Sequence, residues 1–212
     1  MEILLRPGTE QERRRTEEIT REAFWNVYEP GCSEHLLLHR LRNSPQYISE
    51  LDFVALHEEE IVGCIAYART GIIRPDGKVL SVITFGPVGV LPTYRRRGIG
   101  SKLIVHTMEK AAAQGHAAIL ICGDPAYYAR FGFVASKHYG ITDREGRYPA
   151  ALLARELRPG ALHDAAGRYD EGAAYAAASS DNLETFDRTF PPKEKAVTES
   201  QRLFRKLAGS FL

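Results

Sequence analysis

The chain is poor in sulfur, in long apolar runs and in net charge, and each shortage removes a class of protein. Three cysteines, Cys32, Cys64 and Cys122, stand scattered among 212 residues with no metal-ligand spacing, so no metal is implied and each reads as a reduced small hydrophobe. No apolar stretch approaches the roughly 20 residues that a membrane-spanning helix requires. The formal net charge is +1, which provides no general attraction to nucleic acid or to an anionic membrane. The opening residues Met1-Glu2-Ile3-Leu4-Leu5-Arg6-Pro7 are too short and too charged for a secretory leader. A cytoplasmic protein without nucleic-acid or membrane partners is expected.

What is present is ordinary for a soluble globular protein. A chain of this length, 44% hydrophobic and 26% charged, can build one substantial core plus an appendage. Ile3–Arg6 predicts a first strand. Thr9-Glu10-Gln11-Glu12 matches a capping box, and the helical spacing of Ile19, Ala23, Phe24 and Val27 continues to Pro30-Gly31. Ser33 caps a second predicted helix, ending near Asn43-Ser44-Pro45. Residues 51–56 and 61–68 predict a hairpin, and Val79–Val90 a long strand with a bulge at Gly86-Pro87. A helix is expected over 101–114, burying Leu103, Thr107, Met108 and Ala111. A buried strand follows over 117–122, then a short helix capped by Asp124 and closed by Gly132. Residues 133–135 and 152–157 supply the last strands. Beyond Pro159 the composition changes: an alanine-rich run at Ala173–Ala178, then Ser179-Ser180-Asp181-Asn182, then a predicted helix over 193–207 with Leu203, Phe204 and Leu207 on one face.

The most informative segment is Val88–Ser101, in which a strand end runs into Arg95-Arg96-Arg97-Gly98-Ile99-Gly100 and then a helix. Free amides and the dipole at a helix start attract anions. Glycines allow close backbone approach, and arginines add charge-assisted hydrogen bonds. A Walker loop is excluded, because no glycine stands at its first position. A dinucleotide fingerprint is excluded as well, because its third small residue is Leu103 here.

The pattern R-x-x-G-x-G, with V-x-V-L-P upstream, resembles the acyl-CoA loop of the GNAT superfamily of N-acetyltransferases. Asp124-Pro125-Ala126-Tyr127-Tyr128-Ala129-Arg130-Phe131-Gly132-Phe133 resembles that family's second signature, in the correct order along the chain. The resemblance implies an α/β (α+β) fold: a mixed, mostly antiparallel sheet flanked by helices, split between the fourth and fifth strands at the acyl-CoA site. Residues 1–158 would form the acyl-CoA-binding catalytic domain. Residues 159–212 would be an extension packed on it rather than an independent domain.

The implied roles are specific. The backbone of Val88, Gly89 and Val90 would hold the pantetheine arm and face the thioester carbonyl. Arg95, Arg96, Arg97, Gly98, Ile99, Gly100 and Ser101 would hold the pyrophosphate. Asp124 would orient the pantetheine or cap its helix. Tyr128 would protonate the leaving thiolate, with Tyr127, expected to face the core, as the register alternative. Where many members carry a glutamate on the central strand, this chain has Ser81 and Thr84 and no carboxylate over 79–90. Glu22, His35 and His57 are candidate bases, and none is assigned. Cys122 is the candidate for a covalent route. The implied activity is acetyl transfer from acetyl-CoA to a primary amine of a small molecule, by direct attack in a ternary complex. The alternatives are a non-catalytic acyl-CoA-binding regulator, another acyl group, or a protein acceptor. Dimers are common in that family, so a homodimer is expected.

Overall fold

Two long strands carry the architecture. β3 (Glu60–Ile73) and β4 (Val79–Val90) pair antiparallel along nearly their whole length. Their near-continuous apolar sequence reflects burial by helices on both faces. In the computed structural model, which describes residues 1–176 and 182–212, these strands sit inside one nine-stranded sheet. The main path runs β1 (Leu4–Pro7), β2 (Phe53–His57), β3, β4, β5 (Ala118–Cys122), β8 (Leu152–Glu156) and β6 (Val134–Ala135). On that path β4–β5 is the one parallel neighbour pair, as expected for the fold class.

The β4–β5 junction matters most. The two strands register only at Ile83↔Ile119 and then part, so the last residues of β4 are held by β3 alone. Within β4 the predicted bulge is present: Ile65 pairs with Val88, but Tyr67 pairs with Phe85, leaving Gly86-Pro87 as the extra segment. Gly86 has φ +143°, a conformation that L side chains rarely adopt.

Helices cover both faces. α1 (Arg13–Phe24) follows a single 3-10 turn over Glu10–Glu12, which Thr9 and Glu12 cap reciprocally. It stops at Phe24, short of the predicted Pro30-Gly31, because Asn26 turns to φ +59° and accepts from the Gly31 amide. α2 (Glu34–Arg42) is pinned to the sheet by Arg42, which donates to Asp52 at 2.7 Å and 3.1 Å. Tyr47 and Thr16 complete that buried network, so neither charge lacks a partner. On the other face, α3 (Ile99–Ala113) buries Ile99, Leu103, Ile104, Thr107, Met108 and Ala111, the i, i+4 stripe predicted. α4 (Pro125–Tyr128) is capped by the Asp124 side chain, which accepts from the Ala126 amide at 2.9 Å.

The segment after 159 differs from its prediction in two respects. β9 (Gly167–Asp170) joins the sheet, pairing with Gly71–Ile73 of β3 and with β7 (Ile141–Thr142); neither short strand has a periodic sequence signal. The last helix, α7 (Glu199–Ala208), begins later than predicted, at its own capping box of Thr198 and Gln201. Residues 193–198 form no helix, and they follow Pro191-Pro192, which cannot donate backbone hydrogen bonds. Between them lie α5 (Ala173–Ala176) and α6 (Leu183–Asp187). The predicted alanine-rich and serine-rich stretches fall partly on residues 177–181, outside the described residues. No helix among the described residues is long and apolar enough to cross a membrane.

Candidate active site

A cleft of about 810 Å³ opens where β4 and β5 diverge. Leu91 donates its amide to Val62 O at 2.9 Å, which sets the phase of the antiparallel ladder. Counting back, Gly89 faces β3, while the peptide groups of Val88 and Val90 turn toward the gap. Val88 and Val90 line the cleft. Gly89 does not: a Cβ on it would meet Thr20 of α1 at 3.3 Å, so its role is close packing against the helix.

At the mouth, α3 starts behind Gly98, whose φ of +78° turns the chain into the helix. Arg95, Arg96, Gly98, Ile99, Gly100 and Ser101 all border the cleft, and the first amides of α3 have no intrahelical acceptor. The arginines are not equivalent. The Arg95 guanidinium donates to Ala23 O, tying the loop to the end of α1. Arg96 takes φ +60° and borders the cleft. Arg97 lies outside the lining, over the Tyr94 ring and against Met1. Arg130, which the sequence did not single out, borders the cleft with its guanidinium over the Tyr127 ring at 4.8 Å.

Both tyrosines of α4 line the cleft and both pack against the hydrophobic core, so Tyr127 meets the core as expected and the cleft as well. A four-residue helix leaves successive rings diverging, here with planes at 89°. Tyr127 reaches the loop, its hydroxyl 3.8 Å from the position a Gly100 Cβ would take. Tyr128 turns the other way, onto the Gly123 backbone and toward Phe85 and Phe133. Burial pushes the Tyr128 phenol well above its ordinary value, so it is protonated at neutral pH.

A second, smaller chamber of about 230 Å³ adjoins the first. Phe24, Tyr28, Val88, Cys122 and Tyr128 line both, and Tyr128 thus stands at the junction. The chamber walls include two carboxylates that the sequence reading missed, Glu34 at the start of α2 and Glu171 just after β9. Burial raises the Glu34 carboxyl to about 7 and moves Glu171 in the same direction. Tyr175 of α5 donates to Gly86 O at 2.8 Å, holding the bulge from the side of the chain's last segment.

None of the three candidate bases lines either cavity. Glu22 pairs with Lys193 at 2.6 Å. His57 sits against Tyr94 at the end of β2. His35 is sealed between Cys32, Asp187 and the rings of Phe186 and Phe190, where burial lowers it to about 4. Cys122 lines the cavities and is exposed at the end of β5; desolvation by the cleft walls raises its thiol to about 12, and a thiolate is what a nucleophilic cysteine must supply.

Comparison with known proteins agrees with this geometry. Residues 50–135 match the acetyltransferase (GNAT) domain family. The chain is 28% identical over 136 residues to the uncharacterized N-acetyltransferase YhbS of Escherichia coli strain K12, covering 64% of this chain and 78% of that one. The fold matches the crystal structure of a GNAT family N-acetyltransferase (YhbS) from Escherichia coli in complex with CoA. The TM-score is 0.73 at 24% identity, over 82% of this chain and 92% of that one. It also matches a GNAT family acetyltransferase from Brucella melitensis in complex with acetyl-CoA, with a TM-score of 0.66 at 25% identity, over 82% of this chain and 98% of that one. Residues 50–135 thus match a GNAT acetyltransferase domain, and the chain is similar in sequence and fold to GNAT-family proteins.

Proposed function

We infer that the protein is an N-acetyltransferase that moves the acetyl group of acetyl-CoA to a primary amine of a small molecule, by direct attack within a ternary complex. The observation that carries this reading is the cleft at the β4–β5 divergence, which joins free strand-end peptides to the amide-rich start of α3. The CoA and acetyl-CoA complexes of the two structural neighbours support the choice of donor. In this reading the α3 amides with Arg96 and Ser101 hold the pyrophosphate. Val88 and Val90 pair with the pantetheine arm as an added strand would, and a backbone amide there faces the developing oxyanion. Tyr128 protonates the departing thiolate. The raised Cys122 thiol favours direct attack over an acyl-enzyme. The small volume of the second chamber favours a small acceptor over a folded protein surface.

Calorimetric titration with acetyl-CoA, repeated with the dephosphorylated pantetheine fragment, tests the donor assignment. Saturable binding that weakens sharply without the nucleotide phosphates is expected. Absence of binding at millimolar ligand overturns it. Thiol release in the presence of an amine panel then reads turnover directly.

A further inference from the structure

The second chamber has an inner end and an outer end. Its inner end shares Phe24, Tyr28 and Tyr128 with the acyl cleft. Its outer end shares Tyr169 and Glu171 with a third cavity of about 160 Å³ bordered by Asp143, Arg144 and Glu145, and Cys122 lines all three cavities. Glu34 stands in the helical wall with Phe24, Tyr28 and Leu37, toward the inner end; Glu171 stands at the outer end. We propose that this chamber is the acceptor subsite and takes a compact aliphatic diamine, with Glu34 accepting a proton from the reacting nitrogen and Glu171 holding the second, cationic nitrogen. The proposal rests on the acetyltransferase reading above.

The chemistry of the walls selects such a ligand. Two partly desolvated carboxylates in one chamber wall ionise only reluctantly, and a bound cation reverses that preference. Tyr28, Tyr169 and Tyr175 form aromatic walls, which favour organic cations. Among the described residues neither carboxylate forms an ion pair with a basic side chain, the charge of Arg144 acting on Glu171 from its pair with Asp170. Glu34 accepts from the Ser33 amide at 3.1 Å, and the groups around it are Glu29, Tyr28 and Cys32, with Arg95 and Asp124 beyond Tyr28. Around Glu171 stand Asp170, Glu145, Cys122, Tyr169, Tyr175 and Arg144, and Arg144 is already paired with Asp170. A monoamine would satisfy one end only; a diamine satisfies both.

The transfer balances without another reagent. The acceptor enters as an ammonium ion and gives one proton to Glu34. Its lone pair forms the C–N bond as the C–S bond breaks, and the sulfur keeps that pair and takes the Tyr128 proton. The second proton lost by nitrogen restores Tyr128, and Glu34 returns its proton to solvent.

The test uses full-length protein loaded with CoA, titrated at neutral pH with diaminobutane, butylamine and aminobutanol in two buffers of different ionisation enthalpy. Diaminobutane should bind about tenfold or more tighter than either single-amine probe, and its binding should release protons as Glu34 and Glu171 ionise. Glu171→Gln should raise KM for diaminobutane relative to butylamine. Glu34→Gln should lower kcat about 100-fold and remove the acidic limb of the rate profile. Equal affinity for diaminobutane and butylamine, or no amine binding to the loaded protein, overturns the proposal while leaving the donor assignment standing. Failure of acetyl-CoA itself to bind removes both.

Discussion

Tyr128 and Gly123 act as one unit. The ring lies flat against the glycine, and a Cβ at 123 would fall 2.3 Å from its Cε2 atom. Tyr128→Phe should lower kcat by about 10²–10⁴ with acetyl-CoA affinity nearly intact, as steady-state kinetics and calorimetry would show. Gly123→Ala keeps the phenol but must displace the ring. Its kcat should fall in the same direction, and the double variant should be no worse than Tyr128→Phe alone. Additive losses would mean the two residues act separately. At this scale the sequence was legible only in part. The motif identified the tyrosine pair, but which ring meets the chamber depends on how a four-residue helix sits on Gly123, and adjacent positions carry no periodic signal. Glu34 shows the opposite case. It reads as an ordinary first-turn acid of α2, and only the fold places it beside Tyr28 in the wall of the second chamber.

Among elements, the loop and α3 separate stability from binding. Gly100 would meet only ordinary contacts if given a Cβ, 3.7 Å from Val90 and 3.8 Å from the Tyr127 hydroxyl. Gly100→Ala should therefore leave the melting temperature unchanged or slightly higher, while acetyl-CoA affinity falls because the added carbon occupies the surface the pyrophosphate must approach. Gly100→Val should weaken it further. α2 offers a pH test of stability. The Glu34 carboxyl rises from 4.5 to about 7 in the folded chain, so the folded state holds a proton that the unfolded state has lost. Stability contributed by this group therefore declines as pH rises through that window. Glu34→Gln should gain on the parent across the same window, keeping the advantage above it, in thermal melts run at successive pH values. A constant difference would place the raised value elsewhere. Helix and strand positions were legible here because burial imposes period: α3 and β4 lie close to their predicted spans.

For the whole molecule, residues 187–193 fasten the last segment to the core. Asp187 accepts from Arg21 at 2.7 Å, and Arg21 is 3% exposed. Phe190 is buried nearby, and Lys193 reaches Glu22. Asp187→Ala leaves the guanidinium buried without its partner and should cost about 3 kcal/mol in urea unfolding, the low end for breaking such pairs. The same segment brings Glu171 and Tyr175 to the chamber, so loss of its docking should raise acceptor KM before it alters acetyl-CoA affinity.

The division between chain and fold follows from distance along the sequence. The glycine-rich loop before α3, the capped short helix, the bulged strand and the resemblance to the GNAT superfamily were determined by the sequence itself, because each is a local pattern in which glycine, proline, arginine or a cap residue must stand at a set spacing. The acceptor chamber was decided only by the tertiary structure. Glu34, Tyr128 and Glu171 come from three distant segments, and the burial that alters their chemistry exists only once the sheet has closed around them.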